Sequence, residues 1–112
     1  MDTNNKEFID VDDALKRVGG NEGLYKRLLG LFIDGDHLGA LESALQSGNT
    51  EESAHMAHTL KGVSANLSLI KVTALSAELE QAIKNGNEYS ALLSDLKQAY
   101  STTLEKIAEI SG

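Results

Sequence analysis

At 112 residues the chain makes one domain, long enough for a single core and short for an enzyme that encloses both a nucleotide and a second substrate. A net charge of −7 argues against nucleic acid, whose phosphates require a Lys and Arg cluster absent here, and zero cysteine removes disulfides, thiolate nucleophiles and Cys-based zinc sites. Nothing resembles a signal peptide and every apolar run falls far short of the roughly 20 residues of a membrane span, so the expectation is a soluble chain compatible with a reducing cytoplasm.

Residues 1–7 are polar and irregular and read as a tail or linker remnant, with the domain proper over 8–112. With 41% hydrophobic residues, 4% aromatics and no proline, the core is expected to be aliphatic and built from uninterrupted helices. Asp10 can cap a short first helix with Val11, Ala14, Leu15 and Val18 inward, stopped by Gly19 and Gly20. Asn21 then caps a helix with Leu24, Leu28, Leu31 and Phe32 inward. Asp34-Gly35-Asp36 interrupts it before Leu38, Leu41 and Leu45, a pattern that fits either one kinked rod or two helices. Asn49 with Glu52 three residues later starts the next helix like a capping box, and Glu51 and Glu52 suit its positive end. That helix loses definition near 66–69. Val72, Leu75, Leu79, Ala82 and Ile83 define another, ended by Asn85-Gly86-Asn87, and a last one runs from Tyr89 through Ile107. Short connections and the absence of strand alternation predict an all-α fold, an antiparallel up-and-down four-helix bundle with a short additional N-terminal helix.

The helix after Asn49 holds the most informative residue. At about 100° per residue, Met56, Leu60, Val63, Leu67 and Ile70 form an apolar stripe, and His58 points almost the opposite way. Around it on the outer face lie Ala54, Lys61, Gly62 and Ala65, a small and nearly flat surface. Gly62 inside a helix costs about 1 kcal/mol relative to alanine, which calls for a steric reason: room beside the imidazole for a tetrahedral group and an approaching protein. Lys61 can reach the same space and pair with phosphoryl oxygens. A hairpin turning near Leu69 places Glu80 about level with His58. There it either accepts from Nδ1 and leaves Nε2 as the nucleophilic lone pair, or is a surface charge on an amphipathic helix. His55 is read as the edge of the site or plain surface, and His37 as solvated.

These residues resemble the histidine-containing phosphotransfer (HPt) domain of multistep phosphorelays. The resemblance rests on Ala57, His58, Leu60, Lys61, Gly62, Ser64, Asn66, Leu67, Leu79 and Glu80, with Val18-Gly19-Gly20-Asn21, Leu28-Leu29 and Phe32 upstream. Two departures are Ser68, where members commonly place glycine, and the extra Gly30. The resemblance implies a phosphocarrier with no kinase activity or nucleotide site of its own. His58 would accept a phosphoryl group from a receiver-domain aspartyl phosphate and pass it to another receiver aspartate, with Ala54, His55 and Ala65 at the docking surface. It implies no cofactor in this chain, Mg²⁺ being supplied by the receiver. The implied partners are response-regulator receivers and an attached or separate sensor histidine kinase, with no nucleic acid and no direct membrane contact. The implied state is a monomer in the cytoplasm or in the cytoplasmic part of a membrane-bound hybrid kinase. Two alternatives carry distinct signatures. A chemotaxis-kinase phosphoacceptor module shares the His-x-x-Lys-Gly run, whereas a metal-binding bundle would build on Glu52 and His55 but needs a second Glu-x-x-His pair that the sequence lacks.

Overall fold

A computed structural model describes residues 7–111, the last of them by its backbone alone. Of the expected tail, residues 1–6 lie outside the described residues, while the Glu7 carboxylate sits 2.7 Å from Lys71 Nζ. The described chain forms α1 (Val11–Arg17), α2 (Glu22–Asp34), α3 (His37–Ser47), α4 (Thr50–Asn66), α5 (Ile70–Lys84) and α6 (Ser90–Ser111). The caps read from the sequence are made: the side chains of Asp10, Asn21 and Asn49 accept from the amides of Asp13, Leu24 and Glu52. Each satisfies a first-turn donor that the helix itself leaves open.

Helix α4 packs most extensively on α5 and next on α3, α5 packs on α6, and α2 returns to α6. The ring closes as an all-helical four-helix bundle whose first position is shared by α2 and α3, with α1 as the short leader. The break between α2 and α3 is a separation into two helices, not a bend in one. Asp36 adopts φ 44°, a left-handed conformation that ends α2, and its carboxylate accepts from the Gly39 amide to start α3. The extra Gly30 leaves α2 continuous, since that helix runs through it without a break.

Two long-range ties fix the turn that follows α4. Ser68 takes φ 56°, a left-handed geometry that glycine adopts most readily, and its carbonyl accepts from the Asp10 amide at 3.0 Å. Its hydroxyl donates to Asp13 at 2.7 Å, which, with the Arg17 guanidinium, holds the Asp13 carboxyl below its ordinary range. Tyr25 from α2 donates its hydroxyl to the Leu67 carbonyl at 3.0 Å, satisfying an acceptor at the open end of α4. Burial, and then the Asp10 charge, push the Tyr25 phenol up to about 12, so it remains a donor. The leader and α2 are thereby pinned to the turn that sets the α4/α5 register.

Two of the expected core positions are exposed. Leu31 is 60% exposed because α2 packs chiefly on α6 and α1 and leaves an apolar flank open. Ile70 is 43% exposed because α4 has already ended and Ile70 opens α5, out of line with Met56, Leu60 and Val63.

Candidate functional site

Helix α4 presents His58 with its side chain 61% exposed, while Ala57 and Leu60 on either side are fully buried. The imidazole therefore stands on the outer rim of a helix whose inner face is locked into the core. Three residues on, Lys61 is partly covered; four on, an added Cβ at Gly62 would meet nothing within 4 Å. The fold does not demand a glycine there, and alanine would be accommodated with a gain in helix propensity. What the missing side chain provides is open space beside the imidazole.

The α4/α5 turn spans residues 67–69, and the antiparallel register brings Glu80 opposite His58. Nδ1 of His58 lies 3.2 Å from Oε2 and 3.4 Å from Oε1 of Glu80. Nearly two turns along the same seam, Ser64 and Thr73 hydroxyls meet at 2.8 Å, fixing that register a second time. Glu80 is a buried acid, 2% exposed, and thus not a solvated surface charge. Burial pushes its carboxyl up, but the hydrogen bonds and charges of Lys84 and Lys61 outweigh that and leave it at about 2. Lys61 Nζ is 3.2 Å from Oε1 and Lys84 Nζ is 2.8 Å from Oε2. An ionised carboxylate can only accept, so the short contact requires a proton on Nδ1. In the neutral ring that leaves the lone pair on Nε2, a nucleophile with its tautomer fixed by its neighbour.

The remaining expected residues divide. His55 is exposed and Ala65 half-buried on the same outer side of α4. Ala54 is corrected: it is 8% exposed and belongs to the core, because α4 is flanked on both sides by α3 and α5 and its first turns are covered. His37 is also corrected, being half-buried with its ring centroid 5.5 Å from that of Phe32.

One feature escaped the helical periodicity. A groove of about 640 Å³ runs beside the Gly62 flank of α4, lined by Leu28, Leu31 and Phe32 of α2, Val63 and Leu67, with Arg17 at its rim. Asn66, one turn beyond Gly62, also lines it, so the groove begins on α4 one turn from that glycine. The available signal was Leu31 at the edge of an otherwise ordinary apolar stripe, which spacing alone assigns to the interior.

Among the described residues no group of three or more His, Cys, Asp or Glu side chains could hold a metal ion, so Glu52 and His55 find no further ligands there. No helix of the described residues is long and apolar enough to cross a membrane.

The structure is similar to the crystal structure of histidine-containing phosphotransfer protein B (HptB) from Pseudomonas aeruginosa PAO1, with a TM-score of 0.79, 25% sequence identity, and coverage of 91% of this chain and 92% of that one. No curated protein matches the chain. The family model of the Hpt domain matches residues 27–109, a span that holds His58, its glutamate and both lysines. The helical bundle is thus that of a histidine phosphotransfer protein, and the chain belongs to the Hpt domain family.

Proposed function

We propose that this domain is the middle carrier of a phosphorelay: His58 Nε2 takes a phosphoryl group from the aspartyl phosphate of one receiver domain and gives it to the aspartate of another. In the first transfer the acyl-phosphate P–O bond breaks, the Nε2–P bond forms, and the receiver carboxylate leaves with the bond pair. Nδ1 keeps its proton, so the phosphorylated ring is an imidazolium. Its positive charge develops against Glu80, which is already ionised and in place. Lys61 is within reach of the phosphoryl oxygens, and Gly62 leaves the approach clear. Such transfers need alignment and charge neutralisation more than a protein-supplied base. The receiver brings the Mg²⁺ and this chain contributes no cofactor.

The groove between α2 and α4, which reaches Asn66 one turn beyond Gly62, is the apolar surface on which the receiver seats. His55 and Ala65 flank the imidazole. The domain works as a monomer in the cytoplasm with no kinase activity of its own, fed by a sensor kinase attached to it or separate from it.

The observation that carries this reading is an exposed imidazole whose Nδ1 is 3.2 Å from a buried, ionised carboxylate, beside a helix glycine open to solvent. Replacing His58 with Gln is the test: receiver binding, read by titration calorimetry, is expected to stay within about threefold because the groove is untouched. Transfer of label should stop altogether. Transfer that persists in His58→Gln would sink the assignment.

A further inference from the structure

Two ammonium groups reach the Glu80 carboxylate from different helices, and they divide its oxygens between them. Lys61, on α4 with His58, takes Oε1 at 3.2 Å; Lys84, on α5 one turn past Glu80, takes Oε2 at 2.8 Å. Oε2 is also the closer oxygen to Nδ1 of His58. Lys61 shares a helix with the imidazole and lies one turn from it, which makes it the lysine placed to follow a phosphoryl group on Nε2. If it does so alone, it abandons a carboxylate whose side chain is 3% exposed. Stripping a buried charge of its ion partner is strongly unfavourable and pushes the carboxyl back towards its protonated form. A protonated Glu80 would neither orient Nδ1 nor balance the imidazolium.

We propose that Lys84 is a positioning residue for the transfer. It keeps Glu80 ionised and in place, and so releases Lys61 to exchange its ion pair with Glu80 for one with the phosphoryl oxygens. The inference rests on the reading of His58 as the carrier. It adds a division of labour: Lys84 is the permanent partner of Glu80 and Lys61 the exchangeable one. In the unphosphorylated domain Lys61 is parked on Oε1, so the site is already neutralised before the receiver arrives. Lys84 acts through Glu80 and touches no reacting atom.

Phosphoramidate tests this without a receiver. Nε2 attacks its phosphorus, the P–N bond breaks, and ammonia leaves with the bond pair, so labelling reports the site alone. Wild-type protein is expected to label on His58 Nε2, followed by ³¹P and ¹⁵N–¹H spectra. Lys84→Gln should label about tenfold more slowly and lose its slowly exchanging Nδ1–H signal. Lys84→Arg should restore the rate to within about threefold because it keeps a cation on Oε2. Lys97→Gln, which removes a lysine paired with Glu42 on α3, should match wild type. A folded Lys84→Gln protein with the wild-type rate and an unchanged Nδ1–H signal would overturn the role of Lys84 and leave the carrier reading standing. Absence of label on wild-type His58 would overturn both.

Discussion

Changing Glu80 to Gln is expected to slow phosphoryl transfer through His58 by about tenfold or more and to remove much of the acid sensitivity of the fold. The amide still fills the space and its oxygen still accepts from Nδ1, so the imidazole keeps its tautomer. What disappears is the negative charge facing the ring as it becomes an imidazolium. Glu80 sits at about 2 in the folded domain against an ordinary 4.5. With the folded value below the unfolded one, the unfolded chain takes up the proton first as pH falls. The stabilisation is therefore complete above about pH 4.5 and is lost as pH drops towards 2. A shift of that size corresponds to roughly 3 kcal/mol at neutral pH, taken as an upper bound because the two lysines regain water when the pair is broken. Urea unfolding of wild type at pH 7, 4 and 3 should show stability falling with acid, and Glu80→Gln should start lower and fall less. Some slope will persist, since Asp13, held down by Ser68 and Arg17, titrates with the same sign. Equal acid slopes for the two proteins would show that Glu80 is not held ionised by its lysines.

The second large effect falls on Gly62. Alanine at this position meets open space, so Gly62→Ala should raise stability by about 1 kcal/mol, read as a higher urea midpoint. A longer side chain keeps the helical benefit and fills the approach. Gly62→Gln is expected to cut receiver-dependent transfer by about two orders of magnitude, because a displacement of about 1 Å at the reacting atoms costs that much. Its stability should be at least that of wild type. Gain of stability with loss of transfer is the signature of a residue retained for access. Undiminished transfer in Gly62→Gln would mean that the receiver reaches His58 from another side.

The exposed histidine, its lysine and its glycine were legible in the sequence because helical periodicity sorts residues by face, and α4 is a regular helix. Glu80 was legible as a level on the next helix: the turn at 67–69 lies midway between it and His58. Its burial was not, and neither was the choice between an orienting carboxylate and a surface charge. That depended on two lysines converging on one acid, which spacing along a single helix does not reveal. Ala54 and Leu31 erred in opposite directions for the same reason. Periodicity gives the angle of a side chain, whereas burial depends on how closely the neighbouring helices pack; α4 is packed extensively against α3 and α5, and α2 only sparsely against α6 and α1. Consequently the groove between α2 and α4 emerged only once the helices were packed. The α2/α3 break was visible as Asp34-Gly35-Asp36, but its resolution into two helices required the left-handed Asp36.

The most direct trial of the central claim is to mix the domain with a panel of phosphorylated receiver domains and map where the label arrives. The account predicts acid-labile, base-stable phosphate on His58 and on no other residue, returned to receiver aspartate when an unphosphorylated receiver is added. Label on another side chain, or no label from any receiver, would contradict it.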